Sequence, residues 1–161
     1  MRHVVSITGD VTGESYRSFI AEARQRYVSF SLVWRDQLSF DASARAVQQE
    51  IQRFEVRRSH CDRWPGTRLL GTKALVVHYS MDAAETGILG RSGSLFGWRS
   101  PRLPEDLCFY DATGSCVVVT VAHEQTAWFY ELDWFSLLPR EASAEMGAIS
   151  KHAADLLQPD S

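Results

Sequence analysis

The stretch from Leu103 to Leu132, LPEDLCFYDATGSCVVVTVAHEQTAWFYEL, constrains the fold more than any other part of the chain. It reads as three short strands separated by turn residues. DLCFYD and SCVVVTVA are joined by Asp111-Ala112-Thr113-Gly114, where glycine supplies the positive φ that a tight hairpin demands. HEQT then separates the central strand from AWFYEL. The middle segment is apolar at consecutive positions, so something must cover each of its faces. This predicts a packed sheet with helices on at least one side.

The flanking sequence supplies those helices and further strands. HVVSIT (3–8) is a strand candidate. A helix starts at Thr12 or Gly13, with Tyr16, Phe19, Ile20, Ala23 and Tyr27 on one stripe. In YVSFSLVW, Val28, Phe30, Leu32 and Trp34 alternate with more polar positions, the period of a strand with one buried face. Asp41 is placed to cap a second helix, whose Phe40, Ala44, Val47, Ile51 and Phe54 form an apolar stripe. RRSHCDRWPGTR (57–68) is polar, contains Pro65-Gly66 and reads as a loop. LLGTKALVVHYS (69–80) returns to strand character, and MDAAETGIL reads as one or two helical turns from Asp82. Near the end of the chain, Met146, Ile149, Ala153 and Leu156 fall at helical spacing. At 161 residues the chain suits one core. The expected architecture is a single α+β domain over 1–161. Its sheet of about five or six strands is largely antiparallel, holds SCVVVTVA in its interior and packs on about three helices near 13–26, 41–54 and 142–157.

Composition removes several function classes. The net charge of −3 and the lack of a basic stripe argue against a nucleic-acid partner. No stretch approaches about 18 consecutive apolar residues, and MRHVVSITGD lacks the apolar run of a signal peptide, so no membrane is expected. Cys61, Cys108 and Cys116 cannot all pair within one chain, which fits a reduced, cytoplasmic protein. Of the basic residues only Lys73 and Lys151 are lysine, a bias that GC-rich coding produces and that suits a bacterial source.

The chemistry-bearing motifs are sparse. There is no G-x-S-x-G, no phosphate-binding loop, no dinucleotide fingerprint, no C-x-x-C and no HExxH, so neither a cofactor nor a metal is expected. His123-Glu124 closes the central strand. Counting by twos puts His123 on the face of Val117, Val119 and Val121 and Glu124 on the other, an arrangement poorly suited to joint catalysis. Glu105-Asp106 are adjacent carboxylates that read as an acidic turn before a strand, although paired acids also bind metals or share a proton. In His60-Cys61-Asp62, neighbours in sequence cannot orient toward one another as nucleophile and base.

Aromatic residues are more suggestive. Trp34, Trp64, Trp98, Trp128 and Trp134 fall at or near element ends, and Trp, Tyr and Arg are enriched at binding hot spots. The segment GRSGSLFGWRSPRLP (90–104) carries large apolar side chains in an irregular loop, so it is either a lid over the core or an exposed binding surface. The surface reading assigns partner contacts to Leu95, Phe96, Trp98, Arg99 and Arg102, with Trp64 nearby. The functional expectation is therefore a non-enzymatic protein-interaction module that binds and blocks a partner protein, the mild acidity favouring a basic target such as a nuclease. The alternative is a small hydrolase or transferase using His123 with Glu124 or Asp106.

The order WPGT (64–67), SLFGW (94–98), PEDLCFYD (104–111) and AHE (122–124) resembles small bacterial proteins, some of immunity or antitoxin type, over about residues 64–132. The resemblance implies an inhibitor of a partner protein and assigns no functional residue.

Overall fold

The computed structural model describes residues 4–7, 9–130 and 144–147. Its first half runs β1 (Val4–Ile7), α1 (Gly13–Arg26), β2 (Ser29–Arg35), α2 (Ala42–Ile51), β3 (Glu55–Cys61), β4 (Arg63–Trp64) and β5 (Thr67–Arg68). Then follow β6 (Ala74–Ser80), β7 (Glu105–Tyr110), β8 (Cys116–Val121), β9 (Thr126–Phe129) and β10 (Ala144–Gly147). Eight strands form one sheet in the order β10-β1-β9-β8-β7-β2-β6-β3, and every neighbouring pair is antiparallel. The fold is α+β as expected, with β8 interior between β7 and β9. The sheet is wider than the five or six strands expected, because β3 and β10 extend it at either edge.

The helices form where the sequence pattern places them. Thr12 is the N-cap of α1, which buries Tyr16, Phe19, Ile20 and Ala23. Asp41 caps α2 by accepting from the backbone N–H groups of Ser43 (2.8 Å) and Ala44 (3.2 Å). That satisfies two donors the first turn would otherwise leave open. Ala44, Val47 and Ile51 join the stripe from α1 in one core against Phe30, Leu32, Phe109, Val118 and Phe129 of the sheet. Phe19 meets Phe109 and Phe129 edge-on, at centroid distances of 5.7 and 5.6 Å, the preferred geometry of ring pairs. Both helices thus lie on one face.

The opposite face is covered by the small β4–β5 hairpin with Pro65-Gly66 at its tip. Gly66 has φ +83° and lies so close to the sheet that a Cβ there would stand 2.8 Å from Val121 Cγ2 and 2.9 Å from Val119 Cγ1. Only glycine fits. The polar stretch 57–68, expected as a loop, is therefore most of β3 followed by a hairpin. It escapes the period-two signal because residues 56–60 of β3 are exposed on both faces. The helix expected near 142–157 is also corrected where the structure describes it: Ala144–Gly147 pairs with β1, Val4 opposite Gly147. The remainder of that stretch lies outside the described residues. No helix among the described residues is long and apolar enough to cross a membrane.

Candidate functional site

A break in strand geometry builds the first site. Between Ser31 and Val33 of β2 the facing residue moves from Cys108 to Glu105, three steps for two, so β7 carries one extra residue. Asp106 sits in this bulge with φ +54°, in the left-handed region. β7 is buried along its whole length, so two consecutive carboxylates are buried with it, Glu105 at 4% exposure and Asp106 at 1%. Next to them, β8 ends at Val121 and the chain turns through a 3-10 segment, Ala122–Glu124, that carries His123 to the rim.

Asp106 has well-defined partners. Its Oδ1 accepts from the Ala122 N–H (3.0 Å) and its Oδ2 from the Trp64 indole N–H (2.9 Å) and, more weakly, the Thr67 hydroxyl (3.5 Å). It thereby ties the β4–β5 hairpin to the end of β8. Burial raises its pKa above the ordinary carboxylate range, against the hydrogen bonds from Trp64 and Ala122. Glu105 is held from one side only: Oε1 accepts from the Ser100 N–H (3.0 Å), whereas the buried Oε2 accepts no hydrogen bond. Oε2 faces His123 Nδ1 at 3.8 Å, and His123 Nε2 lies 3.9 Å from Glu124 Oε1. The strand count that set His123 and Glu124 on opposite faces does not apply, since both belong to the 3-10 turn. Period-two counting could not have found this cluster, because the bulge and the turn that create it both break that period.

Four of the six residues expected to form a partner surface are not at the surface. Leu95, Phe96, Trp98 and Trp64 are buried, and only Arg99 and Arg102 are exposed. The 90–104 segment is thus a lid over the core. It is pinned by hydrogen bonds from the backbone N–H of Leu95 to Val11 O and of Phe96 to Asp10 Oδ1. Trp98 is fully buried and donates through Nε1 to the Tyr16 hydroxyl (2.8 Å), which donates to Leu89 O (2.6 Å). Its size explains why the sequence singled it out, and its donor is satisfied internally.

An open surface is present at β3. This seven-residue strand ends the sheet and pairs only with β6 among the described residues. Arg57 and Ser59 face the hairpin side, opposite His78 and Val76, while Arg58 and His60 face the helix side, opposite Val77 and Leu75. Glu55 forms an ion pair with Arg58 (2.5 Å), His60 approaches Asp36 (3.0 Å), and Val56 is 65% exposed. His78, behind Arg57, is half-buried, and burial aided by the Arg57 charge pushes its pKa down to about 4. A separate cleft of about 600 Å³ lies between α1 and the turn after β6, lined by Arg24, Tyr27, Met81 and Glu85 among others. It contains none of the expected site residues.

No known family matches the chain, and no curated protein or solved structure matches it either.

Proposed function

We propose that this chain is a non-enzymatic interaction module that receives an extended, acidic segment of a partner protein along the open edge of β3. In this reading it acts in the bacterial cytoplasm as an immunity- or antitoxin-like inhibitor. The observation that carries it is the edge itself: a seven-residue strand, regular from Arg57 to Cys61 after an irregularity at Val56, with exposed side chains on both faces and no second partner strand among the described residues. Strand addition supplies affinity through main-chain hydrogen bonds, and side chains at alternate positions supply selectivity. Arg57 and Arg58 outnumber Glu55, with which Arg58 is paired, so two positive charges against one negative leave the edge mildly basic although the chain as a whole carries −3. An acidic strand would be attracted to it. The local sign favours an acidic partner segment over the basic target suggested by net charge alone. The three free cysteines fit a reducing compartment.

The enzymatic reading has less to stand on. Both oxygens of Asp106 already accept hydrogen bonds, and the His123 ring is 44% exposed at the rim, outside the cleft by α1. The edge reading is tested by capture from a bacterial host with the wild-type chain and with Arg57→Glu/Arg58→Glu. The charge-reversed protein is expected to fold normally and to lose the captured protein at least tenfold. Undiminished capture would remove β3 as the docking edge.

A further inference from the structure

We propose that Glu105, Asp106 and His123 form a binding site for one divalent transition-metal ion. Each residue offers a donor atom, and these atoms lie within 4.8 Å of one another. Tetrahedral coordination with metal–ligand bonds of about 2.0–2.2 Å sets donors about 3.4 Å apart. The existing cluster, spread over at most 4.8 Å, therefore needs to close by up to about 1.4 Å, and the exposed His123 ring supplies most of that movement by side-chain rotation.

Proximity alone would not distinguish a metal site from an acidic turn. The independent observation is Glu105 Oε2, which is buried, accepts no hydrogen bond and is directed at His123 Nδ1 from 3.8 Å. A buried acceptor left open costs free energy, and its presence calls for a ligand. The remaining contacts of the two acids are those of oriented ligands. Ser100 holds the other oxygen of Glu105, while Ala122, Trp64 and Thr67 hold Asp106. Asp106 Oδ1 accepts a single hydrogen bond and keeps a lone pair for an ion. Among the described residues, no Lys or Arg side chain lies within ion-pair distance of these two buried carboxylates, and the one histidine that does is His123. A divalent cation would balance the charge that burial concentrates there.

The donor set of one imidazole and two carboxylates selects the class of ion. Imidazole disfavours Mg²⁺ and Ca²⁺, which take oxygen ligands, and the lack of a thiolate disfavours Cu(I). The first-row divalent transition-metal ions remain, Zn²⁺ and Co²⁺ among them. Three protein ligands leave at least one coordination position for water or another ligand. The inference does not depend on the proposed role of β3.

The test is calorimetric titration of the full chain with Zn²⁺ at neutral pH, repeated with Co²⁺ while its visible absorption is recorded. Wild-type protein is expected to take up one equivalent, with an excess of Mg²⁺ failing to compete. His123→Ala and Glu105→Gln are each expected to weaken binding at least tenfold. His60→Ala, which removes the exposed histidine beside Asp36, is expected to leave binding unchanged. His123 is exposed, so its variant should fold even if burial makes Glu105→Gln unstable. No uptake by wild type, uptake undiminished in His123→Ala, or uptake lost in His60→Ala would each overturn the proposal.

Discussion

At the scale of single residues, Asp106 concentrates the most consequences. It is buried in the left-handed region and is the acceptor that joins the hairpin's Trp64 to the end of β8. Asp106→Ala strands two buried N–H donors at about 1–3 kcal/mol each, and places a Cβ-bearing residue without a compensating side chain at positive φ. The expected loss is about 3 kcal/mol in urea unfolding at neutral pH. Asp106→Asn tolerates that backbone, keeps a carbonyl acceptor and removes a buried charge, so a loss nearer about 1 kcal/mol is expected. Equal losses would mean that the hydrogen bonds do not hold this corner. From the sequence, His123 was paired with Asp106 only as an alternative, and Glu105 was read as part of an acidic turn. The geometry that brings all three together was illegible because it depends on an inserted residue in one strand and a 3-10 turn ending another, neither of which leaves a periodic trace. Trp98 was visible as an anomaly, but its direction was not: a large ring in a Gly- and Pro-rich segment suits a lid as well as an exposed surface.

Elements that bury at least one face were the legible ones. The stripes of α1 and α2, the Asp41 cap and the doubly apolar β8 all appear in the sequence as they do in the structure, because burial imposes the period. The two edge strands are the misses. β3 buries neither face along 56–60, so its residues carry no alternation, and β10 is held by pairing with β1 against a local helical spacing. The β4–β5 hairpin was read as a loop because its purpose is visible only from the sheet it covers. Gly66→Ala tests that covering. The added methyl would collide with Val121 and Val119 and would sit at φ +83°, for an expected loss of about 2–4 kcal/mol in the same unfolding measurement. A neutral effect would show that the hairpin is not packed down on the sheet.

For the whole molecule, acid stability provides a check on packing. His78 is neutral in the folded state, its pKa held at about 4, while in the unfolded chain it takes the ordinary value near 6.5. The unfolded state therefore binds more protons between these values, and this group's contribution is intact above pH 6.5 and is lost as pH falls toward about 4. Asp106 acts with the opposite sign, its raised pKa favouring the folded state below the ordinary carboxylate range and losing that contribution as pH rises through the raised value. Thermal melts of His78→Gln between pH 4 and 7 should show a weaker loss on acidification than wild type, and parallel curves would mean that His78 is solvated. The central claim, a partner strand added at β3, is tested most directly by amide hydrogen exchange on the complex with the captured partner. Slowed exchange is predicted across residues 56–60, with little change in the Ala122–Glu124 turn. Protection confined to another surface, with β3 exchanging as in the free protein, would contradict it.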